Sequence, residues 1–321
     1  MKVLVAGATG VVGRRLVPML VEHGHHVFGS TTRPDRMDEI ARLGATPVLM
    51  DGLDAAGVRR AVAEALPGAI ISEMTALTGT PDFKHFDRWF GRTNKLRTTG
   101  TENLLAAARE TGTTHRFIVQ SYTGWTNPTL GASLATEDEP FDPDPLPQQR
   151  GTLEAIERME AMVLGSPITG ICLRYANLYG PGGMDESLTL LRKRRLPIIG
   201  DGAGVWSWIH AHDAADATVA ALEQGSPGVY NVADDDPAAV SSWLPYLAQV
   251  VGAPQPMRVP VLLGKLLAGD VAVRMMTRVR GVSNARIKRE LGWHPTYGSW
   301  RDGFRTVVAP NPAKEVAHAF S

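Results

Sequence analysis

The sequence is poor in the features that mark secreted, membrane-spanning and nucleic-acid-binding chains. It has one cysteine, Cys172, so an intrachain disulfide framework is excluded. No apolar run reaches transmembrane length, and the first residues lead into a predicted strand rather than a signal peptide. Lysine plus arginine balances aspartate plus glutamate at 33 each, which argues against a nucleic-acid or membrane partner. We therefore expect a cytoplasmic protein that acts on a small molecule.

The order of the apolar segments indicates the fold. Predicted strands, such as His26–Thr31 and Ala69–Ser72, alternate with predicted helices, such as Asn94–Thr111, through the first half of the 321-residue chain. This alternation is typical of a parallel sheet covered on both faces. We expect an α/β protein, a Rossmann-type doubly wound parallel sheet with a smaller C-terminal substrate lobe. Residues 1–175 are predicted to form the dinucleotide-binding domain and 176–321 mainly the substrate lobe, with late strands near 205–235 returning to the first domain.

A glycine-rich stretch at the N-terminus predicts where a dinucleotide binds. An apolar segment predicts a buried strand, three glycines follow at the spacing G-x-x-G-x-x-G, and a helix-like apolar period comes next. The first glycine permits a sharp turn, the second lets the backbone approach a pyrophosphate, and the third lets helix and strand pack closely. The helix N-terminus offers N–H donors to the phosphates. The predicted residues are Gly7, Thr9, Gly10, Val11, Val12 and Gly13.

The end of the second predicted strand favours NADP over NAD. An acidic residue commonly holds the adenine ribose of NAD at this place. Here the strand ends at Thr31, and Arg33 and Arg36 follow it. A guanidinium fork can form paired charge-assisted bonds with a 2′-phosphate. We therefore predict NADP, with NAD as the less favoured cofactor; the alternative interpretation is that both arginines are solvated loop charges.

Further motifs follow in order along the chain. Asp51-Gly52 comes after the third predicted strand, Asn94 precedes G-T-E-N-L-L at 100–105, and L-R-Y-A-N-L-Y-G-P-G occupies 173–182. With these motifs the chain resembles the extended short-chain dehydrogenase/reductase family, the NAD(P)-dependent epimerase/dehydratase type. That family has similar N-x-x-G-T-x-N-L-L and L-R-P-x-N-x-Y-G-P-G segments, the first at a slightly shorter spacing. The resemblance favours a homodimer, and it implies cofactor contacts from Asp51, Gly52, Thr75, Ala76, Asn94, Tyr175 and Asn177.

The catalytic pair of that family has no counterpart at the expected place. Such enzymes use a Tyr-x-x-x-Lys pair at the start of the helix before the sixth predicted strand, but residues 145–157 contain neither tyrosine nor lysine. Alignment on Glu157 puts Gln149 and Leu153 at the two positions. Alignment on Glu160 puts Thr152 and Ile156 there instead. Neither register restores the pair.

Other residues could supply the acid. Tyr122 stands where the family has a serine or threonine, and Ser121 or Thr123 could serve after a shift of one residue. We predict Tyr122 as the best-placed replacement acid, with Ser121 and Asn177 meeting the substrate. The alternative is that Tyr122 only lines the pocket. Arg150 is the basic residue nearest the missing lysine, and a solvated helix-start arginine is its alternative interpretation.

Two further groups of side chains could face the substrate. His210 and His212 alternate along a predicted strand, which would put both on one side, but no third ligand stands at a telling spacing. We predict no metal. An aromatic insert comprises Phe83, His85, Phe86, Trp89 and Phe90. It either caps the cleft over an apolar or aromatic substrate or packs as core or dimer surface.

These observations favour an NADP-dependent oxidoreductase with an atypical acid/base arrangement. Its substrate would be a small carbonyl, enone, imine or hydroxyl compound, and an activated double bond or imine would suit the missing pair. The competing hypothesis is a nucleotide-binding sensor or assembly protein that has lost its chemistry. A sugar-nucleotide epimerase or dehydratase ranks lower, because it needs the missing tyrosine.

Overall fold

The strands of the protein divide between one large sheet and several two-stranded ones. The computed structural model describes residues 1–77 and 79–308, so the end of the predicted second lobe lies outside the described residues. The strands are β1 Lys2–Ala6, β2 His26–Thr31, β3 Thr46–Leu49, β4 Ala69–Ser72, β5 Arg116–Tyr122, β6 Leu134–Ala135, β7 Thr169–Tyr175, β8 Asn177–Tyr179, β9 Ile198–Ile199, β10 Val205–Trp206, β11 Trp208–His210, β12 Gly228–Val232, β13 Ala238–Ala239, β14 Arg258–Val259 and β15 Gly281–Val282.

Helices separate most of these strands. They are α1 Gly13–Glu22, α2 Met37–Arg42, α3 Ala55–Ala65, α4 Phe86–Trp89, α5 Gly91–Lys95, α6 Thr101–Thr111, α7 Pro147–Leu164, α8 Asp185–Arg192, α9 Ala211–Gln224, α10 Val240–Val250, α11 Val261–Thr277, α12 Ala285–Leu291 and α13 Trp300–Gly303. Gly269, with φ of 88°, interrupts α11. Among the described helices, none is both long and apolar enough to span a membrane.

The large sheet is parallel and doubly wound, which confirms the predicted fold class. Its seven strands run in the order β12-β7-β5-β4-β1-β2-β3, and each pairs with its neighbour in parallel. Successive strand residues point to opposite faces. Val3 and Val5 therefore join the core beneath α1 and α9, whereas Leu4 joins the core beneath α3 and α6. Strand β12 pairs with β7 in parallel at one edge of this sheet.

Short strand pairs and a separate apolar cluster make up the rest of the protein. Strands β8 and β11 pair in parallel, and so do β9 and β14. A cluster that includes Tyr179, Trp208, Trp243 and Trp300 fills this region. Both β8 and the loop after β7 sit at the carboxyl end of the large sheet, where ligands bind in open α/β folds.

A π-helical segment, Leu96–Gly100, joins α5 to α6. A π turn accommodates one more residue than an α turn, and such turns are frequent at functional sites. The residues that make the spacing between Asn94 and the G-T-E-N-L-L motif longer than in the family motif lie in this segment. The sequence predicted a single helix over 94–111, so the helical character was foreseen and the π turn was not.

Candidate active site

The glycine loop has the geometry that a dinucleotide site requires. Gly7 has φ of +96°, and a Cβ there would lie 2.9 Å from the Glu73 carbonyl oxygen. A Cβ on Gly13 would lie 2.4 Å from the Gly7 carbonyl oxygen, so strand and helix could not approach as they do. No side chain caps α1, which leaves the positive end of its dipole directed at the loop. Thr9, Gly10, Val11 and Val12 form the turn between β1 and α1.

Arg33 and Arg36 lie close to the end of β2, and the Arg33 guanidinium is already paired with a carboxylate. The Arg33 backbone N–H donates to Thr31 Oγ1 at 3.2 Å. The Arg33 guanidinium forks onto the Asp35 carboxylate, with Nε at 3.1 Å from Oδ1. Both side chains are more than half exposed. Arg36 is half-buried and forms no ion pair within the described residues. A 2′-phosphate would therefore compete with Asp35 for Arg33.

The predicted adenine-side residues form a tight turn after β3. Asp51 accepts hydrogen bonds from the Leu53 N–H at 3.0 Å and from Arg92 Nη2 at 3.1 Å. Gly52 packs so closely on Met74 that a Cβ would lie 2.5 Å from the sulfur. Thr75 is exposed, and the neighbouring Ala76 N–H donates to Thr93 Oγ1 at 3.0 Å. Their contact with a cofactor stays a prediction.

Tyr122 and Asn177 meet at the carboxyl end of the sheet. The Tyr122 hydroxyl donates to Asn177 Oδ1 at 3.0 Å, and Asn177 Nδ2 donates to the Ser207 carbonyl at 2.9 Å. The second bond fixes the amide with its oxygen toward Tyr122. Burial raises the pKa of Tyr122 above its ordinary value, which the nearby Arg97 guanidinium only partly offsets. The phenol is therefore a hydrogen-bond donor at neutral pH.

Ser121 points away from Tyr122, into the protein. Its hydroxyl donates to Glu160 Oε1 at 2.6 Å, and Arg174 donates to both Glu160 oxygens at 2.9 and 2.7 Å. All three side chains are buried. Ser121 is 2% exposed and bound to a charged carboxylate, whereas Tyr122 is partly exposed and bound to a neutral amide, so the cleft is more accessible to Tyr122. The contact of Ser121 with a substrate stays a prediction.

The inner face of α7 carries the side chains of both predicted registers. Glu160 is buried and Glu157 is exposed, but Gln149 and Leu153 are buried as well as Thr152 and Ile156. Asp87 accepts from the Thr152 N–H at 2.8 Å, and Asn94 Nδ2 donates to Thr152 Oγ1 at 3.0 Å. The register of the predicted acid/base pair therefore stays open between Gln149 with Leu153 and Thr152 with Ile156. Arg150 is exposed on α7.

Arg97 lines a crevice near the predicted site, although the sequence motifs do not single it out. The π segment places it at the crevice lined by Ser72, Thr75 and Gln120. Its Nη1 donates to Asn94 Oδ1 at 3.2 Å, and burial lowers its pKa to about 10. No carboxylate pairs with it among the described residues. A count of three back from Gly100 in the N-x-x-G-T motif would have found this position.

The hydroxyl of Tyr175 forms its hydrogen bonds in the protein interior and not in the cleft. That hydroxyl donates to Glu73 Oε1 at 2.9 Å and also meets Thr218 Oγ1 at 2.5 Å. Glu73 lies directly after β4 with its Oε2 unpartnered, and burial raises its pKa to about 8. Tyr175 is 1% exposed, and its contact with a cofactor stays a prediction.

The two histidines do not project from one strand, which corrects the predicted geometry. Strand β11 ends at His210 and α9 begins at the next residue. His210 Nδ1 accepts from the His212 N–H at 3.1 Å, so His210 caps the helix. Burial lowers the pKa of His210 to about 3. Within the described ranges, no three His, Cys, Asp or Glu side chains cluster in a way that could hold a metal ion.

The aromatic insert contributes mainly to the core. Phe86 is buried and packs edge-on against Trp125, with ring centroids 5.2 Å apart. Phe90 is half-buried, and the Arg97 guanidinium carbon lies 5.5 Å from its ring centroid. Of the two interpretations of this insert, core packing fits Phe86, while Phe90 stands beside the crevice.

Known proteins match this chain along most of its length. The profile of the NAD dependent epimerase/dehydratase family matches residues 3–233. A 3-diazoavenalumate denitrifying reductase from a Streptomyces species is 39% identical over 308 residues, which cover 94% of this chain and 99% of that protein. A 4-hydroxy-2-methyl-3-oxo-4-farnesyl-3,4-dihydroquinoline-1-oxide ketoreductase from Stigmatella aurantiaca is 24% identical and covers 91% of this chain and 92% of that protein.

Solved structures share the fold. A UDP-glucose 4-epimerase from Thermotoga maritima superposes with a TM-score of 0.75 at 21% identity, over 100% of both chains. A UDP-glucose 4-epimerase from Thermus thermophilus, solved with NAD, gives 0.74 at 22% identity over 96% of this chain and 98% of that one. Together with the family profile and the named reductases, these likenesses confirm the resemblance. The chain belongs to the NAD dependent epimerase/dehydratase family and is an NAD(P)-dependent oxidoreductase.

Proposed function

We propose that this protein is an NADPH-dependent reductase of a small, conjugated diazo compound. The observation that carries the proposal is the state of Tyr122. It is a protonated phenol, and the buried side chains of α7 that align with the family's acid/base pair are Thr152 and Ile156 or, in the other register, Gln149 and Leu153. A site of this kind can donate a hydrogen bond or a proton, but it has no base to remove one. Reduction therefore suits it better than alcohol oxidation.

The residues of the first loop fit a dinucleotide. Gly7 and Gly13 have no room for a Cβ, and the uncapped start of α1 would face the pyrophosphate. Arg33 and Arg36 would hold the 2′-phosphate of NADP, with Arg33 exchanging Asp35 for the phosphate. A bound nicotinamide supplies hydride. The protein's own contribution is to hold the acceptor beside that ring and to donate hydrogen bonds.

A diazo acceptor explains why the usual pair is dispensable. A ketone becomes an alkoxide when it accepts hydride, so its reduction depends on a strong proton donor. A diazo group conjugated with an oxygen accepts hydride at the terminal nitrogen, and the charge passes to the oxygen. Overall, one hydride and one proton are consumed, dinitrogen leaves, and a C–H bond and a hydroxyl group result. The name of the Streptomyces relative, a diazo-compound reductase that releases nitrogen, supports this assignment.

Tyr122 has a defined role in this scheme. Its hydroxyl, held by Asn177 at 3.0 Å, would turn to the oxygen of the substrate and stabilise the charge that develops there. The phenol has one proton, so donation to the substrate oxygen would replace its bond to Asn177 Oδ1, while Asn177 Nδ2 would keep its bond to the Ser207 carbonyl.

Ketone reduction is the second candidate, because Tyr122 could also protonate an alkoxide. The Stigmatella relative is named a ketoreductase, which favours this interpretation at lower identity. General-acid catalysis typically contributes about 10²–10⁴-fold to rate. A ketone substrate would therefore depend on Tyr122 much more strongly than a diazo substrate would.

A substrate comparison tests the proposal. The protein is incubated with NADPH and either 2-diazophenol, in its quinone diazide form, or acetophenone as the matched ketone. Chromatography follows phenol or 1-phenylethanol. We expect NADPH-dependent formation of phenol that exceeds ketone reduction. Reduction of acetophenone alone would favour the ketoreductase, and tight NADPH binding without turnover of either compound would favour the sensor or assembly protein.

A further inference from the structure

The guanidinium of Arg97 is buried with most of its hydrogen-bonding capacity unused. The side chain is 9% exposed, yet its one hydrogen bond within the described residues goes to the neutral amide oxygen of Asn94. An arginine carries five N–H donors in a planar fork that matches a carboxylate. A buried cation without a partner costs stability, so a site that retains one has a use for its charge.

The carboxylates near Arg97 are all engaged elsewhere. Glu160 is held by Arg174 and Ser121. Asp87 accepts from the backbone N–H groups of Gly151 and Thr152. Glu73 accepts from the Tyr175 hydroxyl through Oε1, and burial raises its pKa to about 8, so it is mostly uncharged at neutral pH. No described carboxylate forms an ion pair with Arg97.

The position of Arg97 connects it with the proposed chemistry. The π segment turns it into the crevice between the ends of β4 and β5, which Ser72, Thr75 and Gln120 line. Burial lowers its pKa to about 10, and the charge of Arg97 acts on Tyr122. The ring of Phe90, with its centroid 5.5 Å away, forms an aromatic wall beside the fork.

We propose that Arg97 binds an anionic group of the substrate, a carboxylate or phenolate, on a molecule with an aromatic or conjugated body. The fork supplies the paired bonds, and Phe90 and Tyr122 flank the conjugated part. This inference rests on the proposed function in one respect: the substrate must occupy the cleft in front of Tyr122. Such an anchor would select acidic substrates and would set the distance from the anionic group to the reacting atom.

A phosphate of the cofactor has the same charge and could occupy the fork instead. Two binding experiments distinguish the cofactor phosphate from the anionic group of a substrate. Binding of NADPH to the empty protein reports on the phosphate. Binding of an aromatic acid to the NADP⁺ complex reports on the substrate anchor.

The test uses trans-cinnamate and its neutral amide, cinnamamide, titrated calorimetrically into the NADP⁺ complex. Wild type is compared with Arg97→Met, which removes the charge, and Arg97→Lys, which keeps it. We expect wild type to bind cinnamate at least about tenfold more tightly than cinnamamide, since a charge-assisted bond is roughly twice as strong as a neutral one. Arg97→Met should abolish this preference, and Arg97→Lys should retain part of it.

Two further readouts exclude a structural role. The NADPH dissociation constant of Arg97→Met should equal that of wild type, and its melting temperature should be equal or higher, because an unpaired buried charge has been removed. Equal binding of the two ligands to wild type, or a preference that persists in Arg97→Met, would overturn the anchor. Weaker NADPH binding in Arg97→Met would overturn it in favour of the cofactor phosphate. If the acid preference holds but 2-diazophenol is not reduced, only the proposed function fails.

Discussion

The hydroxyl of Tyr122 donates a hydrogen bond to Oδ1 of Asn177 across 3.0 Å. Tyr122 is the last residue of β5, and Asn177 opens β8 after the end of β7, so two neighbouring strands of the sheet bring the pair together. Burial raises the pKa of the phenol, which keeps its proton at neutral pH. The pair therefore acts as a hydrogen-bond donor, which is the basis for assigning a reductive reaction.

Replacement of Tyr122 by phenylalanine should slow reduction without weakening cofactor binding. The variant loses the donor to the substrate oxygen and keeps the ring that packs near Trp125. We expect kcat to fall by about tenfold to 10²-fold, less than the roughly 10²–10³-fold of a single oxyanion-hole donor, because conjugation spreads the developing charge. Steady-state kinetics and NADPH fluorescence titration measure the two effects. Tyr246→Phe, altered at a hydroxyl that donates to the Arg301 carbonyl, is the matched control and should retain wild-type kcat.

Asp35 should weaken NADPH binding, because its carboxylate is paired with the Arg33 guanidinium that would otherwise bind the 2′-phosphate. Asp35→Asn removes the charge that competes with the 2′-phosphate. We expect the NADPH dissociation constant to decrease by about two- to fivefold, a modest change because exposed ion pairs are weak.

Arg33→Ala should weaken NADPH binding by about tenfold, the loss of a charge-assisted phosphate contact. NADH titrations serve as the control and should be unaffected; stronger NADH than NADPH binding to wild type would contradict the cofactor assignment.

Glu160 should be essential for stability, in contrast to its neighbour on the outer face of α7. Glu160→Gln leaves Arg174 buried without a counter-charge. We expect the free energy of unfolding to fall by about 3–5 kcal/mol, as for other buried pairs that lose one partner. Glu157→Gln is exposed on the same helix and is the matched control. Urea denaturation gives both values, and equal stability of the two variants would show that the Glu160–Arg174 pair is not as described.

Glu73 should make stability fall as the pH rises from about 4.5 to 8. Burial raises its pKa from 4.5 to about 8, so the folded protein holds a proton that the unfolded chain releases in this window. Unfolding is then favoured with increasing pH, and the effect levels off above the folded pKa. Glu73→Gln removes this dependence. Melting temperatures should coincide for variant and wild type near pH 4.5, and the variant should be the more stable at pH 8; parallel curves would contradict the raised pKa.

The parts that depend on local pattern were predictable from the sequence. The strands at His26–Thr31 and Ala69–Ser72 have the predicted bounds, since apolar runs and turn residues define them. The glycine loop was predictable because its spacing has a steric cause at Gly7 and Gly13. The domain boundary and the homodimer stay predictions.

The side-chain partners across the fold could not be predicted in this way. Ser121 lies at the end of β5, near the place of a catalytic hydroxyl, but it donates its hydrogen bond to Glu160, 39 positions away. His210 sits in a strand-like sequence and yet caps a helix, because β11 ends there. Arg97 was missed because a π turn shifts the helix by one residue, and no apolar period reveals such a shift.

The ratio of dinitrogen released to NADPH oxidised tests the central claim most directly. Wild-type protein, NADPH and 2-diazophenol are combined, with gas release followed by mass spectrometry and NADPH by absorbance; a sample without NADPH corrects for spontaneous loss of nitrogen. A reductase that uses the diazo group as hydride acceptor predicts one dinitrogen for each NADPH consumed. Release of nitrogen that is independent of NADPH, or NADPH oxidation without release of nitrogen, would contradict the account.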